Sequence, residues 1–352
     1  MRIVLVCPSN MLYMPYVSNY EKILKESNVD YTIINWDRFQ IEDRSAYKYR
    51  DKKIGHKRNY YDYLKYKKFV LEKLNEIKYD KLIIFGLQLS YFLKAFLLKN
   101  HKGKYIIDIR DYNQIIKFFN IKKLIENSAF TVISSPGYRL WLPSCQNYII
   151  NHNTQINSIK ELKPVSIKSK YKKISIACIG AIRDHDINIA FINSLKNNDN
   201  IKIYFHGQGD INKDITNHII VNKINNVMLT GKYNKQDEIE LYSKSDLINL
   251  LRYNDGINNR TALPNRLYNS PIYGKPILAY KGTLLSELVE KYKLGLVIDS
   301  FVGIEDKIYS YLNNFNKLEY EEGRISFLSE VIAINQLFVE KVKKFVNEQP
   351  TQ

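Results

Sequence analysis

Glycines and cations follow three consecutive predicted strands in the second half of the chain. Open α/β sheets bind ligands at the carboxyl ends of their parallel strands. A glycine there lets a ligand approach the backbone closely, and a cation attracts a phosphate group. The residues concerned are Gly180 and Arg183 after the first strand, Gly207 and Gly209 after the second, and Lys232 after the third. They predict a cradle for a diphosphate, and tight turns between strand and helix are the alternative role of the glycines.

The segment 252–275 is the second candidate site. Pro264 suits the first turn of a helix, and Gly274 suits the end of that helix. The backbone N–H groups of Asn265 and Arg266 would then form an anion site at the start of the helix. A capped helix with surface Asn and Arg side chains is the alternative interpretation.

Several common catalytic motifs are absent from the sequence. It contains no GxGxxG after the first strand, no GxxxxGK[ST], no HExxH and no GxSxG. The 6 histidines are dispersed, and the 3 cysteines (Cys7, Cys145 and Cys178) lack paired spacing. This pattern predicts neither a metal site nor a disulfide framework, and it favours a reducing cytoplasm.

Composition and charge limit the possible classes of protein. At about 150 residues per domain, 352 residues predict two domains, and 45% hydrophobic with 25% charged residues is typical of a soluble protein. The longest apolar stretch, 87–98, is shorter than the roughly 20 residues that span a bilayer. The net charge of +17 attracts polyanions, namely nucleic acid, anionic lipid headgroups or phosphorylated small molecules. AT-rich codon usage is an alternative origin for part of this charge.

Short β-branched runs alternate with helical patterns, which predicts an α/β protein with parallel sheets. In the first half, the predicted strands are 3–7, 31–36, 81–86, 105–109, 130–134 and 148–150, and the predicted helices are 16–27, 60–77, 90–99 and 114–127. In the second half, the predicted strands are 174–179, 201–205, 227–230, 247–251, 276–279 and 296–298, followed by a last helix at 329–345. A polar stretch, 151–173, is the predicted linker between two doubly wound units.

Residues 263–277, LPNRLYNSPIYGKPI, resemble the donor-site segment of GT-B glycosyltransferases, especially the family 4 type and related bacterial capsule and O-antigen enzymes. Segments 105–111, 132–135 and 150–153 match the same family in the same order. The resemblance implies two Rossmann-like doubly wound domains facing each other across a cleft. Residues 1–160 would bind the acceptor, 170–327 would bind the nucleotide sugar, and the helix in 328–352 would return to the first domain. The donor-binding residues it implies are Gly180, Arg183, Gly207, Gly209, Lys232, Pro264, Asn265, Arg266 and Asn269.

The paired glutamates of this family are absent. Asn269 stands where the family has one Glu, and Thr261 stands near the position of the other. No Lys follows Arg183 closely, so Lys232 or Arg266 would have to complete the diphosphate site. The chain is therefore expected to be a divergent member, with retention or inversion of the sugar linkage left open.

The expected chemistry requires positioning and charge stabilisation, because a nucleoside diphosphate is a good leaving group. Neither a metal nor a cofactor is expected, since the nucleotide sugar is itself a substrate. If the reaction inverts, a carboxylate must accept the proton of the acceptor hydroxyl. Asp108 and Asp111 are the candidates, with His152 a weaker third; a turn network at the strand end is the alternative role of the two aspartates.

The segment 47–69 is rich in Lys, Arg and Tyr and contains only two acidic residues. Such a composition suits the interface of an anionic membrane, as expected of an enzyme with a lipid-linked diphosphate acceptor. A nucleic-acid surface or a solvated helical face would have a similar composition. The residues assigned to this patch are Lys52, Lys53, Lys57, Arg58, Tyr60, Tyr61 and Lys65.

The resemblance and the patch together predict a cytoplasmic, membrane-peripheral glycosyltransferase. Its donor would be a UDP-sugar, and its acceptor a glycan or a polyprenyl-diphosphate-linked glycan of bacterial surface polysaccharide. A nucleotide-sugar epimerase of the same fold is the alternative enzyme. A basic nucleic-acid-binding protein is the alternative from another class, although no nucleic-acid partner is expected because the glycine-terminated strands would then have no role.

Overall fold

The computed structural model describes residues 1–167 and 171–348. The chain forms two compact units. Unit 1 comprises Met1–His152 and the residues from Ala333 onward, and unit 2 comprises Asn153–Ile332. The first boundary falls within the predicted linker, and the predicted start of the second domain, at residue 170, lies outside the described residues.

Unit 1 is built on a parallel sheet with strand order β3-β2-β1-β4-β5-β6-β7. Its strands are β1 Arg2–Cys7, β2 Asp30–Trp36, β3 Tyr47–Tyr49, β4 Lys81–Phe85, β5 Tyr105–Ile109, β6 Phe130–Ile133 and β7 Tyr148–Ile150. The central strands β4 and β5 are buried along their whole length. Burial on both faces explains why these strands consist of continuous rather than alternating apolar residues.

The helices of unit 1 cover this sheet. They are α1 Val17–Glu26, α2 Tyr60–Glu76, α3 Leu87–Asn100 and α4 Ile121–Glu126. Phe338, Val342 and Phe345, near the end of the chain, belong to the same hydrophobic core as the β1 residues Ile3 and Leu5. The last segment of the chain is therefore an integral part of unit 1.

Unit 2 contains a second parallel sheet, with strand order β10-β9-β8-β11-β12-β13. The strands are β8 Ile174–Ile179, β9 Ile201–His206, β10 Val227–Gly231, β11 Leu247–Asn249, β12 Ile277–Tyr280 and β13 Gly295–Ile298. The helices are α5 His185–Ser194, α6 Asn212–Val221, α7 Glu238–Ser243, α8 Ile257–Thr261, α9 Arg266–Ile272, α10 Leu284–Lys291, α11 Ile304–Asn313 and α12 Lys317–Asn347, whose residues from Ala333 belong to unit 1. The predicted α/β class with parallel sheets is confirmed.

Three elements differ from their predictions. The edge strand β3 was not predicted, because its three residues lie within a Lys/Tyr-rich segment that shows no strand pattern. The predicted helix 114–127 consists of a 3₁₀ helix, Gln114–Phe118, followed by α4. The last helix begins at Lys317 rather than Ser329, and its early part contains Gly323, where a Cβ would lie only 1.8 Å from the Tyr292 carbonyl oxygen. The close contact with the Tyr292 backbone explains why position 323 is a glycine. The same glycine weakened the helical pattern in the sequence, so the early part of the helix was not predicted.

Candidate functional site

The three glycine-terminated strands of unit 2 are neighbours in its sheet, with β9 between β8 and β10. Backbone hydrogen bonds join their ends. The Gly180 N–H donates to the His206 carbonyl oxygen at 2.8 Å, and the Gly207 N–H donates to the Gly231 carbonyl oxygen at 2.8 Å. The structure therefore brings the predicted glycine loops together at one edge of the sheet.

The glycines in these loops have different roles. A Cβ at Gly207 would lie 2.0 Å from the Gly180 carbonyl oxygen, and a Cβ at Gly209 would lie 1.7 Å from the Ile182 carbonyl oxygen. Both glycines are thus required for the contact between the β8 and β9 loops. Gly180 has φ +112°, and a Cβ added there would lie 4.0 Å from its nearest neighbour, the Tyr233 hydroxyl. Gly180 therefore leaves space beside the backbone.

Two cations of the predicted diphosphate site are exposed at this edge. Arg183 follows Gly180, and Lys232 follows Gly231. In residues 1–167 and 171–348, neither side chain has a hydrogen-bond or ion-pair partner among the protein atoms. Both charges are consequently available to an anion from solution.

The second candidate segment forms a shorter helix than expected. α9 comprises only 7 residues and begins at Arg266, with Asn265 as its N-cap and Pro264 just before it. Gly274, with φ +66°, follows the end of the helix as predicted. A short helix has few aligned peptide dipoles, so its start supplies little charge by itself, and the anion site at Asn265 and Arg266 stays a prediction.

The polar side chains of α9 have protein partners. The Arg266 guanidinium donates a hydrogen bond to the Cys178 Sγ atom at the end of β8. The Asn269 Nδ2 atom donates to the Glu238 Oε1 atom at 3.2 Å. Residues from β8, α7 and α9 thereby meet at the carboxyl edge of the sheet.

Glu238 is a carboxylate that the sequence reasoning missed. It is the first residue of α7 and is half-buried. Burial raises its pKa. Burial also raises the pKa of Tyr233 to about 12, and the nearby charge of Glu238 adds to the rise. Its only signal in the sequence is its place seven residues beyond Gly231, at the end of the third glycine-terminated strand.

Thr261, at the upstream position of the family's second glutamate, supplies no carboxylate. Its buried hydroxyl donates to the Ile257 carbonyl oxygen at 2.7 Å within α8. The neighbouring Asn259 donates to the Asp184 carboxylate at 3.0 Å. Glu238 is therefore the carboxylate that reaches Asn269.

In unit 1, Asp108 lies at the end of β5 within a buried network. Its carboxylate accepts hydrogen bonds from Arg110, Nε at 2.5 Å and an Nη atom at 2.7 Å, and from the Tyr20 hydroxyl at 2.7 Å. Asp108 is 0% exposed. A general base must reach the proton that it removes, so this geometry favours the alternative of a network at the strand end, and the role of Asp108 as a base stays a prediction.

The other unit 1 candidates occupy different settings. Asp111 is exposed, three residues beyond Asp108. His152 is 5% exposed, and its backbone N–H donates to the Asn335 Oδ1 atom at 2.8 Å. Of the carboxylates predicted as bases, Asp111 is the one that solvent reaches.

Part of the positive charge in the predicted patch is neutralised. Lys53 forms an ion pair with Asp62 at 2.6 Å, and Arg58 forms one with Asp51 at 2.8 Å. The remaining patch residues, all exposed, are Lys52, Lys57, Tyr60, Tyr61 and Lys65. The patch is thus less basic than its composition indicates.

Within the described residues, no group of three or more His, Cys, Asp or Glu side chains could hold a metal ion. No helix in this part of the chain is long and apolar enough to cross a membrane.

Solved structures of several glycosyltransferases resemble this chain. Sucrose-phosphate synthase from Thermosynechococcus elongatus matches with a TM-score of 0.66 at 11% identity, covering 97% of this chain and 98% of its own. The galactosyltransferase WaaB of the lipopolysaccharide outer core matches with a TM-score of 0.65 at 10% identity, covering 98% and 99%. Anabaena HepE, solved with UDP and glucose, matches with a TM-score of 0.62 at 13% identity, covering 98% and 100%. No protein-family model and no curated protein sequence matches the chain.

The chain has the GT-B fold. Near-complete coverage of both partners shows that the whole chain, and not one Rossmann-like unit, follows this architecture. The predicted fold is therefore confirmed, and the finer resemblance to the family 4 type stays a prediction. Within the GT-B fold, unit 2 carries the glycine loops, the exposed cations Arg183 and Lys232, and the Glu238–Asn269 pair.

Proposed function

We propose that this protein is a glycosyltransferase that takes a sugar from a nucleotide donor, a UDP-sugar in the first instance, and transfers it to a glycan or lipid-linked acceptor of a bacterial surface polysaccharide. Unit 2 would bind the donor. The GT-B fold supports the reaction class, and the neighbour HepE, which was solved with UDP-glucose as well as with UDP, supports the choice of donor.

One observation carries the proposal: Arg183 and Lys232 are exposed, without protein partners in the described part of the chain, on loops at the same sheet edge as Gly180. A cation without a protein partner is stabilised by a bound anion. A diphosphate provides two adjacent anionic groups, which charge-assisted hydrogen bonds hold strongly. The same contacts would stabilise the charge that develops on the leaving diphosphate.

The Glu238–Asn269 pair would bind hydroxyl groups of the donor. A carboxylate accepts hydrogen bonds from sugar hydroxyls, and an amide both donates and accepts. Asn269 is held by Glu238, so its amide is oriented before the ligand arrives. This arrangement would perform the task for which the resembling family uses a glutamate at the position of Asn269.

The remaining roles follow from the expected chemistry. A nucleoside diphosphate leaves readily once its charge is stabilised, so we propose a reaction without a metal ion. If the reaction inverts, we propose Asp111 as the base, because it is the exposed aspartate of the predicted pair. The proposed location is the cytoplasmic face of the membrane, where lipid-linked acceptors would be available.

The direct test is binding of nucleotides to the intact chain. Thermal unfolding is measured with UDP, GDP, ADP, CMP and a short oligonucleotide, since a ligand that binds the folded state raises its stability. We expect UDP to raise the melting temperature. The R183A/K232A double variant should lose most of this rise, whereas K196A should keep it, because Lys196 is exposed in the loop that precedes β9.

The outcomes separate the candidate functions. A rise with UDP, followed by sugar transfer from a UDP-sugar to an added glycan, supports the proposal. Conversion of a UDP-sugar into a different free nucleotide sugar, with no acceptor, would instead indicate the epimerase. A rise with the oligonucleotide at moderate salt, and with none of the nucleotides, would indicate a nucleic-acid-binding protein.

A further inference from the structure

A cavity of about 560 Å³ lies in unit 1, formed by residues of unit 1 alone. Its volume is in the range of small-molecule sites, which are largely apolar with a few placed polar groups. Its lining includes the cations Arg38, Lys57 and Arg58 and the aromatic residues Tyr60, Tyr63 and Phe92. Three of them (Lys57, Arg58 and Tyr60) belong to the predicted Lys/Tyr patch, so the chain concentrates part of that patch in a concave site.

The cavity wall is positively charged. Arg38, Lys57 and Arg58 line it, and neither Asp nor Glu is among its lining residues. Arg58 is neutralised by Asp51, which accepts from its Nε atom at 2.8 Å and from its Nη2 atom at 2.9 Å. Lys57 is exposed and has no side-chain partner within residues 1–167 and 171–348. The cavity therefore has an excess of positive charge that the protein itself does not balance.

Arg38 is the most informative residue of this wall. It is 7% exposed, and its guanidinium lies 4.4 Å from the centroid of the Trp36 ring. Its Nη1 atom donates to the His56 carbonyl oxygen at 2.9 Å, and its Nη2 atom donates to the Tyr63 hydroxyl at 2.8 Å. All of these partners are neutral.

The Arg38 Nε atom is buried and lacks a hydrogen-bond acceptor in the described part of the protein, and no carboxylate pairs with the guanidinium there. A buried cation without an anionic partner is costly, and an unmade hydrogen bond adds to that cost. An anionic ligand in the adjacent cavity would reduce the cost of the unbalanced charge. The uncompensated charge of Arg38, next to the cavity, therefore favours an anionic ligand over a neutral one.

The aromatic residues indicate what else the ligand carries. The rings of Tyr63 and Phe92 are stacked, with centroids 5.1 Å apart at an interplanar angle of 6°. Phe118 is 72% exposed although it lines a cavity. A sugar ring combines apolar C–H faces, which pack on aromatic rings, with hydroxyl groups, which form hydrogen bonds with amides. Gln88 and Asn113 are the residues that supply such amides to the cavity wall.

We propose that this cavity binds an anionic saccharide, one that carries a phosphate or carboxylate group, as the acceptor of the transfer reaction. The anion would lie near Arg38 and Lys57, and a sugar ring would pack against the aromatic wall. The role of this ligand as an acceptor rests on the proposed glycosyltransferase function. Its binding to the cavity does not depend on the donor site. It distinguishes a specific acceptor cavity from a flat membrane-binding surface.

The test measures binding of small probes to the intact chain by ligand-observed NMR titration. The probes are glucose 6-phosphate, glucuronate, glucose and inorganic phosphate. We expect glucose 6-phosphate or glucuronate to bind more tightly than glucose, and more tightly than inorganic phosphate. Preference for the phosphate sugar would indicate a phosphorylated glycan or carrier, and preference for glucuronate would indicate a uronic-acid glycan.

Two lysine variants provide a matched comparison. K57E places a negative charge at the cavity and should weaken binding of the preferred charged sugar by about tenfold or more, because a charge-assisted contact becomes a repulsion. K78E changes the net charge equally, but Lys78 is exposed in the loop after α2 and does not line the cavity, so it should change the affinity less than twofold. R38K keeps the buried charge but lacks the planar guanidinium, and it should weaken binding as well.

Three results would overturn the proposal: no saturable binding of either charged sugar, equal affinities for charged sugar and glucose, or equal effects of K57E and K78E. Vesicles of phosphatidylglycerol form a further arm, and vesicle binding without charged-sugar binding would indicate membrane docking instead. UDP-dependent stabilisation is measured on the same samples. If the wild-type protein binds the charged sugar but not UDP, the proposed function alone is contradicted. If it binds UDP but neither charged sugar, the acceptor cavity alone is contradicted.

Discussion

The contact between the β8 and β9 loops predicts a large effect of Gly207→Ala on unit 2. The added Cβ would lie 2.0 Å from the Gly180 carbonyl oxygen and 2.9 Å from its carbonyl carbon. Both atoms are backbone atoms, so neither can rotate away. Relief requires the two loops to separate, which would break the hydrogen bond from the Gly180 N–H to His206.

The magnitude follows from two contributions. Overpacking costs about 1–3 kcal/mol, and a sparsely populated backbone conformation, here φ +132°, costs a further 1–3 kcal/mol or so for a residue other than glycine. We therefore expect G207A to lower the free energy of unfolding of unit 2 by about 4 kcal/mol. Gly231→Ala is the matched control: its φ is +74° but no neighbour lies within 4 Å, so only the backbone cost of about 1–2 kcal/mol applies.

The assay must report on unit 2 separately. Both tryptophans of the chain, Trp36 and Trp141, belong to unit 1, so tryptophan fluorescence in urea reports on unit 1 and should change little in either variant. Hydrogen exchange of the β8 and β9 amides reports on unit 2, and protection there should fall much further in G207A than in G231A. Equal protection in the two variants, with UDP binding lost in G207A, would refute the contact argument and favour a glycine needed for ligand approach.

Three further variants test individual side chains. E238Q should weaken UDP-sugar binding by about tenfold or more, because a hydrogen bond to a charged group contributes roughly 1.5–3 kcal/mol; a titration measures it. Because burial raises the pKa of Glu238 in the folded state, stability of the wild type should rise as the pH falls through that raised pKa, and urea unfolding of E238Q should lack this rise. D108N leaves the buried Arg110 without its charge partner and should lower the free energy of unfolding by about 3–5 kcal/mol, measured by tryptophan fluorescence in urea; a stable D108N protein with no turnover would instead indicate that Asp108 acts as a base. D111N should lower kcat if Asp111 is the base, and an unchanged kcat would remove that role.

The architecture could be predicted because buried parallel strands leave a clear record in the sequence. Each strand of the two sheets except β3 was predicted to within a few residues, since runs of Ile, Val and Leu bounded by turn residues have few other interpretations. β3 escaped because it is an edge strand of three residues, all partly buried. The glycine-terminated strand ends were also predictable, because a glycine directly after an apolar run marks the carboxyl edge of a sheet.

The roles of individual residues at that edge could not be predicted. Gly207 and Gly209 lie in a glycine loop that indicates ligand approach, yet the close contacts at these positions are with the backbone of the β8 loop. Whether a glycine faces a ligand or a neighbouring loop depends on the strand order, which a sequence pattern does not contain. Partners in space could not be predicted for the Lys/Tyr patch either. Arg58 pairs with Asp51 and Lys53 pairs with Asp62, whereas the composition of the segment counts all of its cations as unpaired.

Glu238 shows most clearly why motif comparison stops short of the site. The resemblance places a glutamate at position 269, where this chain has Asn, and the comparison along the sequence therefore reports a missing carboxylate. In the folded chain, α7 follows β10 and places Glu238 within hydrogen-bond distance of Asn269, although the two residues are 31 positions apart in the sequence. A ligand responds to charge and hydrogen-bonding groups at a point in space, whichever element supplies them. An amide held by a carboxylate can therefore replace a carboxylate at that point, and the loss of the motif does not imply the loss of the site.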